Sequence, residues 1–311
     1  MRNSSVVVVI VAWLCACAVT AHPVTPARIG VPQSGADLEA VVDQPGPIRV
    51  ETVVAARWEV ALEGLLNLDH PTARAAQLSD RPEPIMLFVH VLHHPQRGTF
   101  FVDTGVERAF VADPANALLN GILGSLAQVE RMQPMVDTAT LVRLSRAPIA
   151  GVFLTHLHPD HVLGLRDLPE RTPIYVGAGD AQSRSFMNLF TRGLFGAALA
   201  NKPALREIAF QPDTSGMFAG VLDVFGDASL WALWVPGHTP GTIAYLARTP
   251  QGPVLLTGDA CHTAWGWLHQ VEPGTFSEDQ AESAISLGRL ARFARRHPSL
   301  DVRLGHQSLP R

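Results

Sequence analysis

Thr155-His156-Leu157-His158-Pro159-Asp160-His161 sets three imidazoles and one carboxylate within six residues, directly after the apolar run Ile149-Ala150-Gly151-Val152-Phe153-Leu154. That run reads as a short strand entering a polar loop. In extended chain, residues two apart face the same way, so His156 and His158 project to one side. Asp160 and His161 point elsewhere once the chain turns into a helix. One loop can thereby feed two adjacent metal positions. Imidazole and carboxylate together suit zinc and its neighbouring divalent ions.

Three weaker signals lie downstream. Val235-Pro236-Gly237-His238-Thr239-Pro240-Gly241 puts a histidine in a turn after the apolar LWALWV. Leu256-Thr257-Gly258-Asp259 puts an acid at the end of PVLL, and Leu304-Gly305-His306 puts a histidine at the end of DVRL. Each candidate follows an apolar strand and a small residue. Donors at strand ends along one edge are what a rigid metal site requires.

Outward from these motifs, the 311-residue chain is 47% hydrophobic, enough for one large core or two modest ones. Its 25 glycines and 24 prolines forecast many turns between short elements. A formal net charge of -4 leaves no electrostatic footprint for nucleic acid. Strands are expected at 48–60, 85–94 and 98–103, the last two joined by a turn at Pro95–Gly98. Residues 114–132 and 180–200 show helical spacing. Strands recur at LREIAF, VLDVF, LWALWV, TIAYLA, PVLLTGDA and DVRLGH. Residues 277–297 read as a helix capped by Ser277, with acids at its start and basic residues at its end. Two runs of strands, each followed by helices, suit a layered sandwich with sheets inside and helices outside.

The N-terminus differs in character. Val6–Leu14 is an unbroken apolar run behind Arg2, too short to span a bilayer and matching the core of a secretory signal. Small residues at 19–21 offer cleavage after Ala21, and Leu14-Cys15-Ala16-Cys17 resembles a bacterial lipoprotein box. Residues 1–21 are therefore expected to be a signal or lipoprotein leader, with a lipid anchor through Cys17 as the second option. The protein is expected in the periplasm or outside the cell. Residues 22–47 read as a Pro/Gly-rich linker or arm, and residues 48–311 as the working domain. Beyond the leader only Cys261 remains, so no internal disulfide framework is expected.

HLHPDH, PGHTPG, TGDA and GHQ, with an earlier Val102-Asp103-Thr104-Gly105, together resemble the metallo-β-lactamase-fold hydrolase superfamily from about Ile48 to the end. The resemblance implies a four-layer αββα sandwich with its metal site at one sheet edge. It implies two divalent ions, zinc foremost. His156, His158 and His238 would hold one, Asp160, His161 and His306 the other, and Asp259 would bridge them. Asp103 would orient a ligand. The implied chemistry is attack by a metal-activated hydroxide, with Asp160 shuttling the proton. The bridging acid resembles N-acyl-homoserine-lactone lactonases, glyoxalase II-type thioesterases and phosphodiesterases more than class B β-lactamases, which typically carry Cys or Ser there. The lactonases match best, and they usually carry a substrate-contacting Tyr three residues after that acid. Here the position is His262, which becomes a third catalytic candidate beside Asp160 and Asp259.

The expected reaction is hydrolysis of a lactone or small ester. β-Lactam, thioester and phosphodiester hydrolysis stand as alternatives, and a metal binder without turnover as the non-enzyme alternative. The expected partner is a small-molecule substrate. Cys261 reads as a small buried apolar residue. His90, His93 and His94 read as solvated or hydrogen-bonded rather than as a further metal site, because no carboxylate flanks them. Residues 262–269, with two His and two Trp, either line the substrate pocket or close the core. Residues 186–200 form a pocket lid, a homodimer contact or a core helix.

Overall fold

A computed structural model describes residues 17–145, 147–185 and 187–310. In chain order its strands begin with β1 (Cys17–Ala18), β2 (Val24–Pro26), β3 (Val31–Gln33), β4 (Arg49–Ala61) and β5 (Pro82–His94). Next come β6 (Gly98–Val102), β7 (Gln133–Pro134), β8 (Ile149–Phe153), β9 (Ile174–Gly177), β10 (Arg184–Ser185) and β11 (Leu205–Ile208). The last are β12 (Gly220–Asp223), β13 (Leu230–Trp234), β14 (Ile243–Thr249), β15 (Gly252–Leu256) and β16 (Asp301–Arg303). Eight strands form one sheet in the order β2-β11-β9-β8-β6-β5-β4-β7, and six form a second in the order β16-β15-β14-β13-β12-β3.

The period-two alternation of the strands builds the layers. Along β13, Leu230 and Ala232 face the other sheet, while Trp231 and Leu233 face the helix Gln280–Arg296 through Leu290 and Phe293. Along β14, Ile243, Tyr245 and Ala247 turn inward, and Ala244 and Leu246 turn to the same helix layer. In β6, Phe100 and Val102 enter the inter-sheet core, whereas Phe101 packs among residues that include Leu163, Leu194 and Phe195 of the opposite helical layer. Phe153 lies stacked 5.3 Å from Phe100 and 5.0 Å from Tyr175 at the centre of the sandwich. The architecture is the αββα sandwich.

Strand direction decides where the site lies. β6, β8 and β9 run parallel to one another. β13 and β15 are both antiparallel to β14, so they share a direction, and β16 runs parallel to β15. The segments leaving β8, β13, β15 and β16 carry His156–His161, His238, Asp259 and His306. All therefore emerge from strand ends at one edge.

Several expectations shift. The stretch 22–47 is more than a linker: β2 pairs with β11 at the edge of the larger sheet, and β3 pairs with β12 at the edge of the smaller. Between them, Ser34 Oγ caps the helix Gly35–Glu39 by accepting the Asp37 N–H, and the Asp37 carboxylate accepts the Ser34 N–H in return. The helical spacing at 114–132 resolves into two 3-10 turns and the short helix Gly121–Leu126, since Pro and Gly interrupt it. Helix Gln280–Arg296 takes Asp279 rather than Ser277 as its cap, through a 2.9 Å bond from the Glu282 N–H. The apolar run Val6–Leu14 lies outside the described residues. Among those described, no helix is long and apolar enough to cross a membrane.

One close approach locks the two sheets together at the site edge. A Cβ added at Gly177, the end of β9, would lie 1.7 Å from the Gly241 carbonyl oxygen. Gly177→Ala is expected to lower unfolding free energy by at least about 2 kcal/mol, because backbone cannot yield as a side chain can. Gly193→Ala, in an exposed and uncrowded turn of helix Asn188–Leu199, is expected instead to stabilise by about 0.5–1 kcal/mol. Urea melts of both variants check this; equal midpoints would contradict it.

Candidate metal centre

The sequence-selected donors meet. His156, His158 and His238 form one group, and Asp160, His161, Asp259 and His306 a second, with donor atoms in each group within 4.8 Å of one another. In the first, His238 Nε2 lies 2.8 Å from His158 Nδ1 and 3.1 Å from His156 Nε2. In the second, His306 Nε2 lies 3.2 Å from both Asp160 Oδ2 and Asp259 Oδ2. His161 Nε2 lies 3.4 Å from Asp160 Oδ2 and 3.3 Å from Asp259 Oδ2. Asp259 Oδ2 also stands 3.5 Å from His238 Nε2 and 3.7 Å from His156 Nε2, so it faces both groups.

These separations fit a cation. Ligand atoms about 2.0–2.1 Å from a tetrahedral zinc stand about 3.3 Å apart. Three outer ring nitrogens are occupied elsewhere. His161 Nδ1 bonds Asp103 Oδ2 at 2.9 Å, His306 Nδ1 bonds the Met86 carbonyl at 3.0 Å, and His238 Nδ1 meets Ser277 Oγ at 3.1 Å. A carbonyl or carboxylate partner of this kind fixes the tautomer of a metal-bound histidine and turns its inner nitrogen to the ion. Asp259 Oδ1 is buried and has no hydrogen-bond partner among the described residues. Gly305 leaves room for that oxygen, since a Cβ there would lie 2.2 Å from it. Lone pairs and a carboxylate facing one another in a dry site call for positive charge.

The two halves differ in electrostatics. Burial, helped by neighbouring rings, pushes His156 and His238 well below the usual imidazole range, and His158 down to about 4. Burial opposes protonation of His161 and His306 too, but Asp160 and Asp259 outweigh it. His161 is held well above its usual range and His306 is raised to about 10. Asp259 stays well below the carboxylate range because His306, His262 and His161 outweigh its burial.

Asp103 sits at the end of β6 with φ 58°, a strained backbone for a residue with a side chain. Its Oδ1 accepts the Thr155 N–H at 2.8 Å while Oδ2 lies 2.9 Å from His161 Nδ1, the contact through which the resemblance would have it orient a ligand. His262 is 1% exposed and sits beside Asp259, with Nε2 3.1 Å from Asp259 Oδ2. Cys261 packs with Leu287 and Leu304 away from the donors, and burial drives its thiol up to about 12. His90 bonds Thr52 at 2.7 Å, His93 bonds Thr99 at 3.1 Å, and His94 bonds Asp227 at 2.9 Å. Trp265 packs near Leu62 and Val271 and stacks on His269, so it closes a core. In helix Asn188–Leu199 one face of the second half, Leu194, Phe195, Ala198 and Leu199, packs in the core, while Leu189 and Phe190 stay exposed.

Sequence reasoning missed Asp180 and Ser277. Asp180 Oδ2 accepts the Leu157 N–H at 2.7 Å, and its side chain packs against Gly241, where an added Cβ would lie 2.5 Å from the Asp180 Cβ, so it sits between the two donor loops. Nothing local marks it, because its partners come from two distant loops.

A model of the metallo-beta-lactamase superfamily matches residues 89–290. The chain belongs to that superfamily. The chain is similar to an N-acyl homoserine lactonase AttM of Agrobacterium fabrum, 27% identical over 231 residues, covering 72% of this chain and 81% of that protein. The AttM of Azorhizobium caulinodans is 28% identical over 226 residues, covering 69% and 78%. The fold also matches an N-acyl homoserine lactone hydrolase solved with N-hexanoyl-L-homoserine at its catalytic metal centre, with TM-score 0.59, 19% identity, and 85% and 94% coverage. This superfamily member is a metal-dependent hydrolase.

Asp180 gives a pH signature. Burial raises its carboxyl from 3.8 to about 6. A raised folded-state value favours the folded state fully below pH 3.8 and loses that contribution as pH climbs through about 6. Asp180→Asn removes the dependence. The stability of the wild type relative to this variant is expected to fall by about 2 kcal/mol between pH 4 and 7, read from urea melts. A constant difference would contradict the assignment.

Proposed function

We propose that the chain is a dinuclear hydrolase that opens lactones, with N-acyl homoserine lactones as the substrate class. His156, His158 and His238 hold one ion, Asp160, His161 and His306 the other, and Asp259 joins them. The observation that carries this reading is the place of Asp259 Oδ2, within 3.7 Å of nitrogens from both groups. The names of the AttM relatives support the substrate class. Zinc fits the imidazole-rich donor set best. Bound there, the pair would lower the pKa of a shared water to about 7 and polarise the substrate carbonyl.

The residues supply the rest. Asp160 is the donor most open to solvent in the second group, with its side chain 22% exposed. Burial works against its charge, but His161 and His306 hold it well below the carboxylate range, so it stays ionised. It can take a proton from the attacking water and return it to the ring oxygen as the acyl C–O bond breaks. The product is the open hydroxy acid. Asp103, Ser277 and the Met86 carbonyl hold the rings fixed, and burial of His156, His161, His238 and His306 limits bulk water.

Purified metal-loaded protein assayed against homoserine lactones, β-lactams, thioesters and phosphodiesters is expected to turn over the lactones fastest. Turnover of another class alone would overturn the substrate assignment. His158→Ala is expected to lose metal and at least about a hundredfold of activity together. Full metal content in that variant would refute the role of His158.

We also propose that the chain is exported and processed ahead of Cys17. Cys17–Ala18 pairs with Arg184–Ser185, the Val19 and Thr20 N–H groups bond the Ser183 and Ala181 carbonyls, and both side chains are buried. Cleavage after Ala21 would discard that packing. Intact mass of the protein from a bacterial envelope fraction should show an N-terminal, lipid-modified Cys17; a mature chain beginning at His22 would overturn this.

A further inference from the structure

We infer that His262 is an eighth protein ligand of the centre, binding the ion held by His156, His158 and His238. This rests on the dinuclear reading above and adds a residue to it. His262, a catalytic candidate from the sequence, occupies the place where the lactonases it resembles usually carry a substrate-contacting tyrosine, but its surroundings are those of a ligand.

The outer nitrogen decides the tautomer. His262 Nδ1 lies 2.8 Å from the Leu65 carbonyl oxygen. A carbonyl only accepts, so Nδ1 carries the hydrogen. Nε2 then points at Asp259 Oδ2 from 3.1 Å. In the neutral ring that nitrogen is an acceptor, and so is the carboxylate. Two acceptors at that distance repel unless an ion, or a proton on Nε2, lies between them, and the convergence of His238, Asp259 and His262 donor atoms within 4.8 Å favours the ion. His306, placed among the metal donors by the sequence motif, is tethered in the same way, with Nδ1 on the Met86 carbonyl at 3.0 Å and Nε2 3.2 Å from the same Oδ2. Backbone carbonyls are habitual outer partners of metal-bound imidazoles.

The ring is also placed among the other donors. It meets His238 edge-on at 4.9 Å and stacks on His306 at 5.5 Å. Donor atoms of His238, Asp259 and His262 lie within 4.8 Å of one another. The position is built from below: Leu65 ends the short helix Leu62–Leu65, whose Leu62 and Leu65 are buried, and the Gly274 backbone lies hard against its Glu63 carbonyl. A ligating His262 has no N–H left for a substrate carbonyl. Carbonyl polarisation then falls to the ions alone.

The test loads the full chain with cobalt(II). In the wild type, the His262 Nδ1–H should appear in the proton NMR spectrum as a strongly shifted, slowly exchanging signal, protected by the Leu65 carbonyl. It should vanish in His262→Gln and His262→Tyr. Chelator competition should show the first cobalt ion bound at least about tenfold more weakly in both variants. Unchanged affinity, with no shifted His262 signal in a wild type holding two ions, would overturn the inference. A His262 Nε2–H seen in the zinc-loaded wild type would do the same, because a proton would then stand where the ion is assigned. If neither variant folds, the wild-type spectrum alone decides. Failure of the dinuclear reading is separate: the wild type would then take up fewer than two ions.

Discussion

One buried carboxylate oxygen, Asp259 Oδ2, has imidazole nitrogens of His156, His161, His238, His262 and His306 within 3.7 Å. Such a gathering is unfavourable by itself. Every group in it has left water, and several present lone pairs to one another. The protein holds them together because the surrounding fold over-determines their positions and because cations would convert mutual repulsion into ligation. Metal binding to the folded chain alone would then add directly to its stability. A chain with no described disulfide has a use for that contribution.

The sandwich is arranged so that this gathering happens at an edge. Strands from both sheets end there in a common direction and deliver their donors through loops of a few residues. The loops are then tied to each other rather than left to solvent. Asp180 bonds the His156–His161 loop and packs against Gly241 in the turn after His238, Asp103 links β6 to His161, and Ser277 braces His238. Rigid support of this sort keeps ligand geometry within the tolerance that catalysis needs. Only Asp160 retains appreciable exposure among the second group, which suits a residue that exchanges protons with substrate.

Much of this was legible in the sequence, for physical reasons. Alternation of apolar residues in LWALW and IAYLA reports which face meets which layer. The density of donors in HLHPDH leaves few structural explanations, and Gly before His238 and His306 marks turns at strand ends. What the sequence hid are contacts made by tertiary approach. The carbonyls of Leu65 and Met86 carry no residue-type signal, yet they set the tautomers of His262 and His306. Ser277 looked like a helix cap because it precedes acids, but Asp279 caps the helix and Ser277 turns to His238. The Pro/Gly-rich 22–47 segment lacks periodicity because each of its strands is only three residues long and lies on a sheet edge.

The most direct measurement is anomalous X-ray diffraction from metal-loaded crystals at the zinc absorption edge. Two peaks about 3.5–4 Å apart, flanking the Asp259 carboxylate, are the predicted result. A single peak, or none within ligand distance of His156, His238 and His306, would contradict the account.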